Sequence, residues 1–243
     1  MGKTRMFGFV RYTCNPIVGC YHGCVYCWAR KLAKRLRKVC EDCYNFIPHT
    51  HIERLYKDFK KGVFKRTPSD AIIFLCDMSD LFGSWVSDDI IMEVLSFIKY
   101  NPQTTFFLET KNPARMLDFI DEIPKNTIVS TTIETNQYPI EGISNAPSPI
   151  ERAIAFILMD HPHKHVSIEP IIDFDMDTLI KWIKDIRPER VSMGYDNYGI
   201  LKKNGIPEPS KEKYFKLKAE LNKFTYVEDK TFGESQSERL IYP

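Results

Sequence analysis

Apolar, β-branched runs alternate with amphipathic stretches along most of the chain, and this alternation limits the fold more than any other feature. Strands are predicted at 8–14, 71–76, 104–110, 127–134, 165–171, 190–195 and 224–229. Helices are predicted at 28–39, 50–62, 87–100, 113–121, 150–159, 175–186 and 210–222. Because a strand is followed by a helix about six times, the strands should be parallel and joined by right-handed crossovers. An α/β fold follows, with an open or closed β/α barrel as the first prediction and a doubly wound sheet as the second.

The predicted strand ends are unusually polar. Acidic residues stand at the ends of the six strands from 71–76 onward, often before the turn residues begin. In β/α barrels, function lies at the carboxyl ends of the strands. The polar residues at these ends include Asp77, Ser79, Asp80, Glu109, Lys111, Thr132, Glu134, Glu169, Asp196, Glu228 and Asp229. In a barrel they would converge on one mouth.

The composition is that of an ordinary globular protein, with 243 residues, 43% hydrophobic and 27% charged. We expect one domain over residues 1–230 and a polar C-terminal tail over 231–243. No apolar run is long enough to span a membrane, and the first residues lack the apolar core of a signal peptide. We therefore expect no membrane partner and a cytoplasmic location. In that reducing compartment, the seven cysteines favour metal or redox chemistry over disulfides.

Positive charge is concentrated near the N-terminus. Residues 1–66 carry 15 Lys or Arg against 4 Asp or Glu, although the whole chain has a net charge of only +2. Segment 28–38 (WARKLAKRLRK) is predicted to form a helix with a strongly basic face. Such an excess suggests an anionic partner such as a nucleic acid, and a solvated helix face explains it equally well.

Three cysteines, Cys20, Cys24 and Cys27, lie within eight positions of the segment GCYHGCVYCWARK. One interpretation is a zinc site completed by Cys40 or Cys43. A second is a group of buried, inert thiols. A third is a cubane iron–sulfur cluster, whose irons are held by cysteine thiolates. The spacing favours the third, because three thiolates on one short loop can hold three corners of a cubane and leave the fourth iron open to a substrate or cofactor.

The motif C-x3-C-x2-C, with Tyr26 directly before Cys27, resembles the signature of the radical S-adenosylmethionine superfamily. Blocks such as FLCDMSDLFGSWV, FFLETKNPARM, SIEPII and MGYDNYG are similar to a phage-associated radical-SAM-like family described by its three-cysteine motif. Similarity to spore photoproduct lyase, a DNA-repair member of the superfamily, is more distant. The resemblance implies a partial (β/α)6 barrel in which Cys20, Cys24 and Cys27 bind a 4Fe–4S cluster.

The same resemblance implies an activity and its partners. The cluster would cleave S-adenosylmethionine reductively to a 5′-deoxyadenosyl radical, which then takes a hydrogen atom from a substrate. The electron would come from a donor such as flavodoxin or ferredoxin. The residues implied for binding S-adenosylmethionine are Tyr26, Asp77, Ser79, Asp80, Lys111, Thr132 and Glu134. The resemblance identifies no catalytic residue and no substrate.

A second group of possible ligands follows in CEDCYNFIPHTH, which contains Cys40, Cys43, His49 and His51. Zinc is one interpretation, although these histidines follow too closely for a standard zinc finger. An auxiliary cluster is another. The favoured prediction is that the two cysteines end the first helix and pack beneath it. In DHPHKH (160–165), an exposed loop is favoured over a metal site.

Two functions follow from these features. The first is a radical S-adenosylmethionine enzyme acting on an unknown nucleic-acid or other anionic substrate. The second is a non-catalytic, zinc-containing, nucleic-acid-binding protein. Bound iron with sulfide would favour the first, whereas a colourless protein with one zinc ion would favour the second.

Overall fold

Seven parallel strands form a curled half-barrel in the computed structural model, which describes residues 2–3, 6–60, 71–137 and 142–233. The strands, in chain order, are β1 (Gly2–Lys3), β2 (Val10–Cys14), β3 (Ile17–Val18), β4 (His49–Thr50), β5 (Ile72–Leu75), β6 (Thr105–Thr110), β7 (Thr127–Thr132), β8 (Lys164–Ile168), β9 (Arg190–Met193) and β10 (Tyr226–Asp229). The main sheet has the order β1-β2-β5-β6-β7-β8-β9-β10. Within it, β1 is antiparallel to its neighbour, while β3 and β4 form a separate antiparallel pair. The partial barrel predicted from the sequence is confirmed, and the doubly wound sheet is not.

Helices follow the parallel strands. The helices are α1 (Trp28–Ala33), α2 (Glu41–Asn45), α3 (Glu53–Lys60), α4 (Asp88–Lys99), α5 (Pro113–Leu117), α6 (Pro149–Leu158), α7 (Met176–Ile186), α8 (Ile200–Lys203) and α9 (Lys211–Leu221). A 3-10 turn at Ile120–Glu122 follows α5. Among the described residues, none of the helices has both the length and the apolar character that crossing a membrane requires.

Local sequence explains where the helices begin. Ser148 and Glu151 form a reciprocal capping box at the start of α6, with Pro149 at its first position. Ser210 caps α9 by accepting a hydrogen bond from the Lys213 backbone. The central strands are covered on both faces, and every residue of β5, β7, β8 and β9 is buried.

Two apolar clusters enclose the sheet. The larger one lies between the strands and the outer helices and includes Phe106, Ile183 and Leu217. The smaller one is mostly aromatic and contains Phe7, Phe9, Phe74 and Phe107, with the His165 ring packed against three of the four. Phe7 and Phe9, which precede β2 in the chain, therefore pack their aromatic side chains against the strands.

The structure differs from the sequence-based elements most clearly at three helices, and the two-residue strands β1, β3 and β4 were not predicted either. The first helix ends at Ala33 rather than 39, where like charges on Lys31, Lys34, Arg35 and Lys38 would repel one another at helical spacing. Cys40 and Cys43 consequently do not end that helix, since they cap and enter α2, which was not predicted. The third difference is α8, also not predicted. Residues 61–70 and 234–243, which include part of the basic region and most of the proposed tail, lie outside the described residues.

Candidate functional site

The three-cysteine loop follows β3 and is attached to the end of β5. Gly19 donates its backbone N–H to the Met78 carbonyl at 3.0 Å, and the Ser79 hydroxyl donates to the Gly19 carbonyl at 2.6 Å. Gly19 and Gly23 have φ values of 92° and 65°, in the left-handed region where glycine is favoured. A Cβ at position 19 would also overlap the Ile47 carbonyl. The loop therefore needs glycine for its path as well as cysteine for its chemistry.

Cys20, Cys24 and Cys27 all line one cavity. Cys27 caps α1, and its Sγ accepts the Arg30 backbone N–H at 3.3 Å. Cys24 Sγ lies 3.1 Å from the Ser144 hydroxyl. Burial raises the pKa of the Cys20 and Cys27 thiols, and the other thiolates of the loop raise it further. Mutual repulsion of this kind is relieved when thiolates bind a cationic group.

Among the described residues, the three cysteines of the loop are not part of a compact group of ligands with Cys40 or Cys43. In the part of the chain that the structure describes, ligand atoms that lie within 4.8 Å of one another in a group of three or more belong to Cys40, Cys43, His49 and His51. The structure places Cys40 and Cys43 with the two histidines, so it gives no support to the interpretation that either of them completes a zinc site with the three-cysteine loop.

The cavity has a volume of about 800 Å³ and opens at the carboxyl ends of the strands. Six of the seven residues predicted to bind S-adenosylmethionine line it together with the three cysteines. These six are Tyr26, Asp77, Ser79, Asp80, Lys111 and Thr132. Glu134 lies behind Lys111 and contacts it. Phe7 and Phe74 belong to the apolar part of the wall.

Asp80 organises the strand ends around the cavity. His22 Nε2 lies 2.8 Å from Oδ2, and the Lys111 backbone N–H donates to the same oxygen at 2.8 Å. Oδ1 accepts from the Thr110 hydroxyl at 2.7 Å and from the Phe82 backbone at 3.0 Å. Burial alone would raise the pKa of Asp80, but these bonds, led by that to His22, hold it below its usual value. The contacts give Asp80 the role of connecting the cysteine loop, β5 and β6.

Glu134 is buried among cations. Arg152, itself 1% exposed, places Nη1 2.8 Å from Glu134 Oε2, while Lys111 and the Tyr26 hydroxyl donate to Oε1. Burial opposes ionisation, but Arg152 and Lys111 hold the pKa of Glu134 far below its usual range. Lys111 Nζ also lies 3.2 Å from the Tyr26 hydroxyl. Three of the predicted residues, Tyr26, Lys111 and Glu134, are thus one connected group.

Two other carboxyls of the cavity wall have raised pKa values. Burial raises the pKa of Asp77 to about 6, although Asn15 and Thr13 donate hydrogen bonds to it. Burial raises the pKa of Glu109 to about 7, against the opposing effects of Lys111 and Lys230. The site therefore contains two carboxyls that ionise near neutral pH, Asp77 and Glu109, beside two that stay ionised, Asp80 and Glu134.

The sequence did not reveal several buried polar groups. His165 lies on β8, completely buried, with Nδ1 2.8 Å from the Ser130 hydroxyl and Nε2 2.9 Å from the Ser192 hydroxyl. Residues 160–163 form a loop in which Asp160 and Pro162 are exposed, as predicted, but His161 is buried. Burial holds the pKa of His165 well below its usual value. Arg152, the buried partner of Glu134, was not predicted, because a cation in the first turn of α6 gives the same sequence pattern whether it is buried or exposed.

Comparisons with known proteins agree with this architecture. The model of a family described as "Protein of unknown function (DUF5131)" matches residues 5–184. No curated protein matches the sequence. Among solved structures, a spore photoproduct lyase mutant with bound AdoMet and dinucleoside spore photoproduct superposes with a TM-score of 0.65 at 13% identity, covering 90% of this chain and 76% of that one. Spore photoproduct lyase complexed with dinucleoside spore photoproduct gives 0.64 at 13% identity, with coverages of 93% and 80%. At these identities the likeness establishes the fold alone.

Proposed function

The chain belongs to the DUF5131 family, and we propose that it is a radical S-adenosylmethionine enzyme whose 4Fe–4S cluster is held by Cys20, Cys24 and Cys27. The observation that carries this proposal is the position of three cysteines of one loop in the wall of an 800 Å³ cavity at the carboxyl ends of parallel strands. The half-barrel of the spore photoproduct lyase structures, one of which contains AdoMet, supports it as a fold-level analogy.

The donor set fits the cluster. Three free thiols line one cavity, and burial and neighbouring thiolates raise the pKa of two of them, Cys20 and Cys27. When bound, a 4Fe–4S cluster with S-adenosylmethionine on its open iron supplies a 5′-deoxyadenosyl radical. The chain's own residues bind and orient these groups and exclude water from the cavity.

The polar residues of the wall take different parts in this proposal. Asp77, Thr132 and Lys111 reach the cavity, and the ammonium of Lys111 is a charge-assisted partner for the methionine carboxylate. Glu134 pairs with Lys111 and Tyr26 and so positions both. Asp80 and Ser79 are positioning residues as well, because their side chains bond the cysteine loop and the β6 end.

We further propose a nucleic acid or other anionic molecule as the substrate. Six cations follow the cysteine loop directly, and all six are exposed; they are Arg30, Lys31, Lys34, Arg35, Arg37 and Lys38. The ligand named for one of the spore photoproduct lyase structures is a dinucleoside spore photoproduct, which supports a nucleic-acid substrate by analogy. The proposal includes a flavodoxin or ferredoxin as the donor of the electron that reduces the low-potential cluster. It also includes a cytoplasmic location, because seven free thiols suit a reducing compartment.

Anaerobic reconstitution with iron and sulfide tests the function. We expect about four irons per chain, brown colour, and formation of 5′-deoxyadenosine when dithionite and S-adenosylmethionine are added. Cys24→Ala should lose both the cluster and the product. Cys14→Ala is the matched control, because Cys14 is a buried thiol of β2 outside the cavity wall, and it should retain both. Undiminished product from Cys24→Ala, or reconstituted wild-type protein without iron, would contradict the proposal.

The zinc-containing, nucleic-acid-binding protein stays as the second candidate because a separate group of two cysteines and two histidines exists. The same reconstitution separates the two functions. Protein that contains zinc, takes up no iron and forms no 5′-deoxyadenosine while still binding DNA would favour the second candidate.

A further inference from the structure

Four ligand atoms converge between α1 and α3, outside the cavity wall. The sulfurs of Cys40 and Cys43 and the Nε2 atoms of His49 and His51 all lie within 4.8 Å of one another. The S–N distances are 3.3 and 3.8 Å from Cys40 and 3.4 and 3.2 Å from Cys43, to His49 and His51 respectively. The two Nε2 atoms are 2.9 Å apart.

These distances are close to the edges of a zinc tetrahedron. Zn–S bonds of about 2.3 Å and Zn–N bonds of about 2.0–2.1 Å give S–N edges of roughly 3.5 Å and N–N edges of roughly 3.3 Å. The observed S–N distances, 3.2 to 3.8 Å, bracket the first of these values. An iron–sulfur cluster, which places its cysteines on different irons, would need wider spacing. The arrangement therefore fits one ion.

The surrounding groups orient the ligands as expected for a metal site. His49 Nδ1 lies 2.7 Å from the Ile47 carbonyl, and His51 Nδ1 lies 3.7 Å from a Glu53 carboxylate oxygen. Metal-binding histidines usually donate their second N–H to a carbonyl or carboxylate, which fixes the ring with its other nitrogen towards the metal. The Cys43 backbone N–H donates to Cys40 Sγ at 3.2 Å, so that sulfur is already a hydrogen-bond acceptor.

Short local elements bring the four residues together. Cys40 caps α2 and Cys43 lies within that helix. The chain then reverses at Phe46, whose φ of 59° is in the left-handed region, and returns along β4, which contains His49. Cys43 and Phe46 are buried in a small apolar cluster with Val18, Ala33 and Met78, and a bound metal ion would add to the stability of this segment.

We propose that Cys40, Cys43, His49 and His51 bind one Zn²⁺ in a closed structural site. Two thiolates and two imidazoles in tetrahedral spacing suit zinc, and four protein ligands leave no position open for a substrate. The site shares no ligand with Cys20, Cys24 and Cys27 and does not depend on the proposed enzymatic function.

The position of the site gives it a structural role. Val18 and Ile17 of β3 pair with His49 and Thr50 of β4, immediately before the three-cysteine loop. The backbone of Gly19 packs against Ile47, which lies between the cysteine and histidine ligands. The zinc ion would hold the segment on which the three-cysteine loop rests.

Metal content of the full chain tests the proposal. The protein is purified without added iron, freed of metal, and titrated with Zn²⁺ in competition with a chromogenic chelator. We expect one Zn²⁺ per chain, with unchanged affinity in the triple variant Cys20→Ser/Cys24→Ser/Cys27→Ser. His49→Ala and Cys43→Ser should bind at least 100-fold more weakly, since loss of even an outer-shell partner costs about 10- to 100-fold. His163→Ala, a half-buried histidine outside the group, should bind like the wild type.

A Co²⁺ spectrum of the wild-type protein serves as a second measurement that does not depend on the folding of a variant. A tetrahedral Co²⁺ site with thiolate ligands should give intense visible bands and sulfur-to-metal charge transfer, which Zn²⁺ then abolishes. Weak octahedral bands, wild-type zinc affinity in His49→Ala, or loss of zinc in the triple variant would overturn the proposal. Protein with one zinc but no S-adenosylmethionine cleavage would contradict only the enzymatic function, and an active protein that binds no Zn²⁺ would contradict only the zinc site.

Discussion

Two glutamates near neighbouring strand ends, Glu109 half-buried and Glu134 buried, show how single partners decide ionisation. Burial raises the pKa of both Glu109 and Glu134. Arg152 and Lys111 contact Glu134 directly and hold its pKa far below the usual range. Glu109 accepts a hydrogen bond from the Ser130 hydroxyl at 3.1 Å, but the attraction of nearby cations does not offset its burial, and its pKa rises to about 7. The side-chain type is the same, so the difference comes from how closely a cation approaches.

Glu109→Gln should make the stability of the folded protein less sensitive to rising pH. Because the folded-state pKa is raised, the unfolded chain loses this proton first, and wild-type stability falls as pH rises from about 4.5 to about 7. The variant has no carboxyl at position 109 and so does not lose stability in this way. Urea denaturation gives the free energy of unfolding of both proteins, and the difference is taken as variant minus wild type. This difference should be higher at pH 8 than at pH 5 by about 1–3 kcal/mol, a range that is set low because solvent reaches the cavity and screens the charge.

Comparing variant with wild type removes the contribution of other groups that titrate in this window, such as Asp77. Glu122→Gln, at an exposed glutamate of the 3-10 turn, is the control and should show equal differences at both pH values. A Glu109→Gln effect that does not change between pH 5 and pH 8 would show that this carboxyl is ionised in the folded protein at both.

At the scale of elements, the short β3–β4 pair connects the two groups of cysteines. Each strand has two residues, far too few to be stable alone, and the pair persists because β3 continues into the loop attached to Met78 and Ser79. Gly19 lies at the junction, with its backbone against Ile47. A side chain at this one position would affect both loops.

Gly19→Ala is expected to destabilise the protein by about 2–4 kcal/mol. The cost combines a left-handed φ of 92° with the overlap between a new Cβ and the Ile47 carbonyl. Gly205→Ala is the matched control, since Gly205 has a φ of 67° but no neighbouring atom within 4 Å of where a Cβ would stand, and it should cost only about 1 kcal/mol. Urea denaturation of both variants measures the difference. Equal destabilisation would mean that packing against Ile47 contributes nothing.

The elements that the sequence predicted well are those with a strong pattern of their own. Strands β5 to β10 are runs of apolar residues ended by polar ones, and α6, α7 and α9 begin at capping residues and bury one apolar face. The two-residue strands and the short helices α2 and α8 carry no such pattern, because tertiary contacts with neighbouring elements hold them instead.

The same distinction applies to the site. The cysteine loop was found because its spacing is local, and the strand-end residues because strand ends of a barrel meet at one mouth. The contacts of Asp80 with His22 and of Glu134 with Arg152 join residues far apart in sequence, which no local pattern encodes. The tetrahedral spacing of Cys40, Cys43, His49 and His51 likewise depends on the reversal at Phe46, so the sequence left that site undecided.

At the scale of the whole molecule, charge is separated along the chain. Residues 1–66 carry a strong excess of Lys and Arg, while the rest of the chain is acidic. The described part of this excess includes the exposed cations at 30–38, next to the three-cysteine loop. Arg30, Lys31 and Lys34 lie over aromatic rings, those of Phe46, Tyr198 and Tyr44, which leaves Arg35, Arg37 and Lys38 as the cations to vary.

Binding of DNA should weaken steeply with salt. Each phosphate that the protein no longer neutralises reduces the slope of log K against log salt by about 0.7–0.9. Arg35→Gln/Arg37→Gln/Lys38→Gln should therefore reduce that slope by about 2 and weaken binding at low salt. Fluorescence anisotropy with labelled DNA over a salt series measures both. Lys202→Gln/Lys203→Gln, at two exposed lysines of α8, should behave like the wild type. Binding that is independent of salt, or an equal weakening in both variants, would count against an anionic partner for this surface.

The crowding of Gly19 by Ile47 has a consequence for how such a chain can change over generations. Any residue with a Cβ at position 19 requires a different course for the backbone at 47–48, and that course also fixes where His49 begins its strand. Gly19 and the histidines that follow it should therefore be retained together in related sequences, and replaced together in those that lack one of them.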